Sequence, residues 1–363
     1  MRIETVPGDR LINAAKRKTL DGEPVVRSDT LLRAVRIVNT FDTVASLRAI
    51  TFRSLSGGRA LQSVSYDAPR IAVRSRGLAP LLDAFEKNPD NERGTFGTEG
   101  FWRGDGYGTD PDLAPGVSTG FTLEHVVVVA AEPMDALEVT VAYEVGGKVA
   151  EAVRTVPVTE YANRNRYILP VQGSWLVVNN WDDLHGHRDS ISQEFAIDLI
   201  QPFEDGLFPL DRENGEYAFY GADILAAAEG RVVVVKDFCP ENPRAGAKAE
   251  IDVKAVYREH GMKAITAGNH VIVEHDGGEF SFYAHLIRGS IPVSEGDVVR
   301  QGDRIGALGN SGNSDAPHLH FHLMDGAHLG ARGLPCRFTN IVDAFGEPCE
   351  FIEQNFSTVR TVG

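Results

Sequence analysis

Residues 136–158 alternate apolar and polar side chains around two adjacent glycines, and this pattern restricts the fold more than any other in the chain. From Leu137 to Val145 every second residue is apolar or aromatic. A period of two is typical of a β-strand with one buried and one solvated face. Gly146 and Gly147 can supply the positive φ angles of a two-residue turn, after which KVAEAVRTVPV follows as the return strand. The sequence therefore predicts an antiparallel hairpin.

Shorter apolar runs of the same β-like character lie upstream, namely TLLRAVRIVNT, SLRAITFRSL and RALQSVSYDA. Together with the hairpin they predict an accessory domain at residues 30–160, folded as an antiparallel β-sandwich. Residues 1–29 are polar without a clear period, and we expect them to form an N-terminal arm. We expect a short helix at residues 79–87. Residues 88–120 are rich in Gly, Asp and Pro and are expected to form a long loop.

A second β-rich domain is predicted at residues 161–345, followed by a C-terminal tail at residues 346–363. Its strands are indicated by short apolar runs such as QEFAIDLI, NHVIVEHD and EFSFYAHL. Residues 238–268 interrupt these strands with a polar stretch, in which AEIDVKAVYREHG predicts one helix. An insertion of about 30 residues is longer than most connections, so it fits either the rim or lid of a site or a simple excursion. The predicted fold class is all-β with few short helices.

The composition argues against several classes of partner. With 36 basic and 51 acidic residues the chain has a formal charge of −15, which is unfavourable for binding a nucleic-acid backbone or an anionic membrane surface. Its apolar runs are far shorter than the ~20 residues of a membrane-spanning helix, so we expect no transmembrane segment. The first residues lack the apolar stretch of a signal peptide. Three cysteines without a CxxC pair favour neither a disulfide scaffold nor a thiolate zinc site.

The stretch HLHFHL carries histidines at three alternate positions. In a strand, His318, His320 and His322 point to one face, and the apolar residues between them can enter the core. Imidazole titrates nearest neutrality among side chains and is the commonest metal ligand. The convergence of these rings beside a Gly-rich loop therefore favours metal or acid–base chemistry over a decorated surface.

A zinc hydrolase uses three protein ligands and leaves the fourth position to water, so further ligands are needed. Asp198 stands in the strand pattern QEFAIDLI where an apolar residue would be expected. A carboxylate there is costly to bury unless it is paired or bound to a metal. His187 and His185 lie just upstream in a polar turn. A set of two histidines and one aspartate suits zinc and leaves the metal a net positive charge that lowers the pKa of a bound water.

His285, in the strand pattern SFYAHL, adds an imidazole on another strand end. Together with His318 it makes a pair of histidines that need not both be ligands. Hydrolysis needs one group that takes a proton from water and one that stabilises the oxyanion or protonates the leaving amine. Two histidines outside the ligand set would meet both needs.

With these motifs, the second domain resembles the M23 family of zinc metallopeptidases, the lysostaphin-like peptidoglycan endopeptidases. The resemblance covers roughly residues 165–325 and is carried, in the family's order, by FAIDL, ILAAAEGRVV, GNHVIVEH, YAHL, EGDVVRQGDRIGALGNSGNS and PHLHF. It implies a zinc-dependent endopeptidase, with one Zn²⁺ per chain, that hydrolyses peptide bonds of bacterial peptidoglycan through a metal-bound water. The implied partner is a stem or cross-bridge peptide, and the implied location is the cell envelope or the exterior.

The resemblance also implies roles for single residues. Asp198 and His320 match two metal ligands of the family, and His285 and His318 match its two catalytic imidazoles. The family often places its first metal histidine four residues before the aspartate, where this chain has Glu194.

A longer turn must therefore bring a histidine back to the metal. We expect His187 to be this third ligand and His185 to face solvent. His322 stands where the family often has Glu or Gln, and we expect it at a solvated strand end, with a hydrogen bond to a ligand histidine as the alternative.

Two other functions fit parts of the same sequence. A non-catalytic relative would keep the groove as a binding or scaffold surface and lose the metal. A lipoyl or biotinyl carrier would share the strand–turn character of ILAAAEGRV and VSEGDVV, but it needs a Lys at an exposed hairpin tip, and these turns hold none. The complete set of ligand types favours the enzyme.

Overall fold

The chain folds as two units, Met1–Tyr161 and Ala162–Gly363. The computed structural model describes residues 1–103, 106–182, 186–201, 212–352 and 355–362. Strands dominate both units and helices are few, which confirms the predicted all-β class.

Within its described residues, the first unit consists of ten strands and two helices. They are β1 (Arg2–Val6), β2 (Leu11–Asn13), β3 (Lys16–Leu20), β4 (Glu23–Val38), β5 (Ala45–Ser56), β6 (Arg59–Asp67), α1 (Ala68–Lys87), α2 (Pro89–Phe96), β7 (Asp112–Leu113), β8 (Ser118–Ala130), β9 (Ala136–Val145) and β10 (Lys148–Glu160).

These strands form two sheets that enclose a common core. One sheet has the order β1–β4–β3 with β8 paired to β4, and the other has the order β2–β10–β9–β5–β6 with β7 paired to β5. All pairs are antiparallel except β2 with β10. Val35 and Phe121 from the first sheet and Ile50, Val139 and Val141 from the second belong to one buried cluster. The predicted β-sandwich is consistent with this arrangement.

The predicted hairpin joins β9 to β10. Val145 pairs with Lys148, and the turn residues Gly146 and Gly147 have φ angles of 57° and 74°. A side chain would be strained at such angles, which explains the two glycines.

The structure differs from the expected N-terminal arm. Residues 2–6, 11–13 and 16–20 are strands, and Leu11 and Ile12 are buried in the sandwich. On β3 only Lys16 is buried while the following residues are exposed, so this edge strand shows no alternation in its sequence. Because its residues are mostly charged, β3 lacks the apolar–polar alternation from which a strand could have been predicted.

The expected loop also contains secondary structure. The helix predicted at residues 79–87 begins earlier, at Ala68, where the Asp67 side chain accepts a hydrogen bond from the Arg70 N–H at 3.1 Å. Asn88 caps a second helix, α2, inside the residues expected to be a loop. The capping residues were present in the sequence, but the short polar helix has no apolar stripe that would have predicted it.

The second unit consists of thirteen strands, two α-helices and three short 3₁₀ turns within the described residues. They are β11 (Ser174–Asn179), β12 (Ile197–Ile200), β13 (Asp223–Leu225), β14 (Gly230–Lys236), α3 (Val253–His260), α4 (Met262–Ala267), β15 (Asn269–His275), β16 (Glu279–Leu286), β17 (Val298–Val299), β18 (Arg304–Ala307), β19 (Leu319–Met324), β20 (Gly333–Leu334), β21 (Ile341–Val342), β22 (Pro348–Cys349) and β23 (Ser357–Thr361), with the 3₁₀ turns at His187–Asp189, Ile191–Gln193 and Asn214–Glu216.

One large antiparallel sheet organises this unit. Its order is β17–β14–β15–β16–β19–β12–β11–β23–β21–β22, with β20 paired to β19, while β13 and β18 form a separate pair. Strands β12 and β19 are buried along their whole length and lie near the middle of the sheet. The residues expected to be a C-terminal tail differ from that prediction, because β23 pairs with both β11 and β21.

The polar insertion forms two helices where one was predicted. Asp252 caps α3 by accepting hydrogen bonds from the N–H groups of Lys254 and Ala255, both at 3.0 Å. Gly261 ends this helix and α4 follows directly. Among the helices that the structure describes, none combines the length and apolar character needed to cross a membrane.

Candidate metal centre and cleft

Strands β12 and β19 place Asp198 and His320 directly opposite each other. The two residues are partners in the antiparallel register, and His320 Nδ1 lies 3.0 Å from Asp198 Oδ1. On the other face of β19, Leu319, Phe321 and Leu323 are at most 1% exposed. The alternation of the strand thus separates imidazoles on one face from core residues on the other, as HLHFHL predicts.

His187 reaches the same carboxylate from the turn that precedes β12. Its Nε2 lies 2.9 Å from Asp198 Oδ2. The turn passes close to β11, because a Cβ on Gly186 would lie only 2.5 Å from Oδ1 of Asn179. His187 therefore reaches Asp198 although it lies eleven residues earlier in the sequence. The position four residues before Asp198, where the family often has its first metal histidine, is occupied by Glu194. His185, the alternative ligand, lies outside the described residues.

The three side chains fit a zinc ion by composition and by spacing. One ligand atom from each of His187, Asp198 and His320 lies within 4.8 Å of the other two. Two imidazoles and a carboxylate form a donor set found in zinc hydrolases, in which the fourth position is taken by water. Burial alone would raise the pKa of Asp198, but the neighbouring His187 and His318 outweigh burial and hold that pKa well below its usual value. The carboxylate is therefore ionised, as a ligand must be.

His285 and His318 stand beside these three residues without belonging to the cluster of ligand atoms. Their ring centres are 4.5 Å apart. His318 Nδ1 donates to the Ala316 carbonyl at 2.9 Å, and its Nε2 lies 3.6 Å from Asp198 Oδ1. His285 Nδ1 donates to the Ser311 carbonyl at 2.8 Å. Each ring is therefore fixed by a backbone carbonyl at Nδ1, which leaves Nε2 for other partners.

The Gly-rich loop after β18 holds His285 in place. Ser311 supplies the carbonyl that His285 contacts, and the Ser311 hydroxyl donates to the Leu286 carbonyl at 2.8 Å. A Cβ on Gly309 would lie 2.8 Å from the His285 carbonyl oxygen and 2.6 Å from the Ile287 nitrogen. A glycine is required at this position because the loop touches the backbone of the strand end.

The backbone of His285 is itself unusual. Its φ angle is 64°, in the left-handed region that non-glycine residues rarely adopt. The close approach of Gly309 and the hydrogen bond to Ser311 hold the residue there. Such strained positions occur preferentially at functional sites, where the surrounding structure enforces one side-chain direction. Burial, followed by the nearby His318 and His320, keeps the pKa of His285 well below 6.5, so the ring is neutral at pH 7.

His322 is not the solvated strand end that we expected. It is 2% exposed, and its Nδ1 lies 2.9 Å from His320 Nε2. The ring stacks on Phe282 of the adjacent strand at 4.6 Å between ring centres. The alternative expectation, a hydrogen bond to a ligand histidine, describes the structure. The expectation was wrong because the position of α4, whose Lys263 contacts Met324 at the end of β19, could not be predicted from the sequence.

These residues line a cleft of about 380 Å³. All five sequence-predicted site residues contribute to its wall. His322, which the HLHFHL pattern also singles out, contributes as well. The sequence does not indicate most of the remaining contributors, and for those on α4 the signal is the length of the polar insertion. The further lining side chains include Ser192, Gln193, Lys263, Thr266, Phe282 and Asn313.

Comparison with known proteins places part of the second unit in a peptidase family. Residues 217–330 match the model of peptidase family M23, a range that contains His285, His318 and His320 and begins downstream of His187 and Asp198. The chain is 41% identical over 58 residues to the peptidoglycan DD-endopeptidase ShyA of Vibrio cholerae, a stretch that is 16% of this chain and 13% of ShyA. It is 40% identical over 67 residues to lysostaphin of Staphylococcus simulans, covering 18% of this chain and 13% of lysostaphin.

A third relative and one solved structure complete the comparison. The DD-endopeptidase ShyB of Vibrio cholerae is 36% identical over 104 residues, which is 29% of this chain and 18% of ShyB. The crystallised catalytic domain of lysostaphin from Staphylococcus simulans aligns at 19% identity over 45% of this chain and 88% of that domain, with a TM-score of 0.25. The chain thus spans less than a fifth of the length of these three curated relatives.

The family match defines the class of residues 217–330 in the second unit, which is that of a peptidase domain. Specifically, this unit carries a peptidase family M23 domain, as the HLH, YAHL and GNSG motifs predict.

Proposed function

We propose that the protein is a zinc-dependent endopeptidase that hydrolyses peptide bonds of bacterial peptidoglycan. One observation supports this above all others. Residues from three separate segments bring two imidazoles and a carboxylate within 4.8 Å of one another, in a cleft that also contains a second pair of imidazoles. This is the combination of ligands and acid–base groups that metal-assisted hydrolysis requires.

His187, Asp198 and His320 would hold the metal. A Zn²⁺ ion bound there would supply a Lewis acid that polarises a carbonyl and lowers the pKa of a water. His322 supports this ligand set, because its Nδ1 is placed to accept a hydrogen bond from His320 Nε2 when Nδ1 of His320 faces the metal.

His285 is suited to accept a proton. Its Nδ1–H is committed to Ser311, and its pKa is held below the usual range by burial and by neighbouring imidazoles. Nε2 of the neutral ring therefore carries a lone pair at pH 7. Removal of a proton from water as it attacks a carbonyl carbon needs such a group within the cleft.

His318 is suited to act on the oxyanion or the leaving amine. Nδ1 is held by Ala316 and lies 3.1 Å from the Ser314 hydroxyl, while Nε2 is 3.6 Å from Asp198 Oδ1. Because Nδ1–H is donated to Ala316, Nε2 can donate only when the ring carries both protons. An imidazolium held in this way can donate from Nε2 to developing negative charge without reorienting, which is the condition for efficient electrostatic stabilisation.

The names of the relatives support a substrate class and not one bond. ShyA is named a peptidoglycan DD-endopeptidase, whereas ALE-1 of Staphylococcus capitis, 42% identical over 67 residues, is named a glycyl-glycine endopeptidase. We therefore propose stem or cross-bridge peptides of peptidoglycan as substrate. A substrate of this kind places the activity in the cell envelope or outside the cell.

Metal analysis combined with digestion of purified cell walls tests this proposal. Wild-type protein is expected to contain one zinc per chain and to release soluble muropeptides. Asp198→Ala is expected to lose both properties, since the variant removes the only anionic ligand. A wild-type protein that holds no zinc and digests walls no faster than Asp198→Ala contradicts the proposal. If that protein still binds walls, the scaffold alternative is favoured.

A further inference from the structure

The cleft has a second wall that the proposed reaction does not use. Helix α4 brings Lys263 to the cleft beside Phe282 of β16, whose ring stacks on His322 of β19. The Lys263 Nζ lies 5.7 Å from the centre of the Phe282 ring and 3.6 Å from the Met324 sulfur. An ammonium group thus lies in the wall of the cleft that contains the candidate metal centre, in contact with an aromatic ring and a thioether.

This ammonium group has no counter-ion within the described residues. None of their carboxylates lies within 4.0 Å of Lys263 Nζ. Of the two carboxylates that line the cleft, Asp198 belongs to the metal centre, and Asp315 pairs with Lys248 at 2.9 Å. Burial lowers the pKa of Lys263 to about 8, so the amine is still mostly protonated at neutral pH.

The neighbouring His322 also has an unused polar atom. Its Nε2 is buried, and it contacts no hydrogen-bond partner in the part of the chain that the structure describes. Buried polar atoms in native proteins are nearly always satisfied, so an orphan beside a cleft indicates a ligand or ordered water. When Nδ1 of His320 faces a metal, its Nε2–H donates to His322 Nδ1 at 2.9 Å, so the N–H of the His322 ring is on Nε2.

His270, another titratable neighbour of this wall, does not neutralise it. His270 stacks on Phe282 at 5.0 Å, and burial lowers its pKa to about 4, so this ring is neutral at pH 7. Its Nδ1 donates a hydrogen bond to the Gly268 carbonyl at 2.9 Å. The wall therefore has one positive charge and one further N–H group, surrounded by Phe282, Met324 and Ala267.

We propose that Lys263 and His322 form a subsite for a free carboxylate of the peptide substrate, next to the metal centre. This inference rests on the proposed function and adds to it that the favoured peptide has a carboxylate close to the bond that is cut. A single ammonium matches the single charge of a carboxylate. A phosphate dianion would need more donors than this wall offers. The apolar residues around Lys263 suit the alkyl side chain of an amino acid whose carboxylate binds there.

Binding of a small carboxylate and its amide to the zinc-loaded full chain tests the inference. The probes are N-acetylalanine, in both enantiomers, and N-acetylalaninamide, titrated by calorimetry. Wild-type protein is expected to bind at least one enantiomer of the acid about 10-fold or more tightly than the amide, because a charge-assisted hydrogen bond is lost with the amide. Lys263→Met is expected to reduce that ratio to near one.

Lys254→Met is the matched control, because Lys254 is an exposed residue on α3 and its replacement removes the same charge. It is expected to keep the preference for the acid. If Lys263→Met keeps the preference, the carboxylate binds elsewhere, such as at the metal, and the inference is overturned. Inorganic phosphate that competes as well as the acid indicates a general anion site and overturns it equally.

Digestion of cell walls by the same proteins separates this inference from the proposed function. A wild-type protein that digests walls but binds acid and amide equally well overturns the subsite alone. A wild-type protein that neither holds zinc nor digests walls, but shows a Lys263-dependent preference for the acid, overturns the endopeptidase and keeps the subsite. A preference for the acid together with digestion supports both.

Discussion

Each unit of the molecule contains a buried aspartate in contact with histidine, yet only one of these aspartates belongs to a candidate site. In the sandwich, Asp29 lies 2.8 Å from Arg27 and 2.6 Å from His125 Nε2, and its side chain is fully buried. In the second unit, Asp198 is surrounded by His187, His318 and His320, and no Lys or Arg of the described residues forms an ion pair with it.

The difference lies in what neutralises the carboxylate. Arginine is always protonated, so Asp29 has a permanent partner and its interaction is complete within the protein. The partners of Asp198 are imidazoles, which can give up their protons and offer nitrogen lone pairs instead. A metal cation can then take the place that an arginine occupies in the sandwich. A buried Asp–His contact alone is therefore no sign of a site, whereas a carboxylate among several imidazoles at a cleft is one.

Among variants that distinguish the two aspartate sites, His318→Ala is expected to have the largest effect on activity. We expect the turnover of cell-wall peptides to fall by about 10² to 10⁴, the usual contribution of an acid–base group, while zinc content stays at the wild-type level. The measurement is steady-state hydrolysis with metal analysis of the same sample. His125→Ala, which removes the histidine beside Asp29, is the control and should leave turnover unchanged. Equal losses in both variants would contradict the distinction between the two aspartates.

The next effect concerns stability. Asp29→Ala is expected to destabilise the protein by about 3–5 kcal/mol, because Arg27 and His125 lose the carboxylate that they share. In zinc-free protein, Asp198→Ala should reduce the free energy of unfolding by less, since the imidazoles it leaves behind can remain neutral. Chemical denaturation of both variants in the presence of a chelator measures the two losses. A larger loss for Asp198→Ala would show that the two carboxylates have the same structural role.

A smaller effect is expected at His322. His322→Ala removes the group that contacts His320 Nε2, and such supporting contacts are typically worth 10- to 100-fold in metal affinity. His322→Gln keeps an acceptor near that position and should lose less. Competition with a chromophoric zinc chelator measures both affinities. Zinc binding that is unchanged in His322→Ala would show that the contact does not support the ligand.

The smallest effect is a change in pH dependence. Burial lowers the pKa of His270 to about 4, below its ordinary value of 6.5, so the unfolded chain binds a proton between these pH values that the native chain does not. Stability from this residue is complete above pH 6.5 and falls as the pH decreases toward 4. His270→Phe should reduce this slope by up to about 1.4 kcal/mol per pH unit, measured by denaturation at several pH values with a chelator. An unchanged slope would show that His270 does not resist protonation.

The sequence predicted those parts of the fold that local patterns determine. The alternation from Leu137 to Val145, the glycine turn and the two-faced strand HLHFHL follow from side-chain period and backbone conformation alone. The prediction of an N-terminal arm was wrong because the charged edge strand β3 is stabilised by pairing with β4, and no local pattern in the sequence shows this pairing. The expectation that His322 is solvated was wrong for a similar reason, because α4 belongs to an insertion that is distant in the sequence.

The ligand set was harder to predict than the strands. Asp198 and His320 are opposite residues of paired strands, so their contact follows from the sheet order. His187 depends instead on a turn whose path is set by the close approach of Gly186 to Asn179, and no period in the sequence encodes it. The resemblance suggested that a histidine must return to the metal, but not how.

The ligand set can be determined from a crystal structure of the zinc-soaked protein with anomalous data at the zinc edge. We expect one anomalous peak, between His187, Asp198 and His320, with His285 and His318 beside it and outside bonding distance. A peak elsewhere, or coordination by His185 in place of His187, would contradict the assignment of the ligands. The absence of any peak, in crystals of a protein that nevertheless digests cell walls, would contradict the zinc mechanism itself.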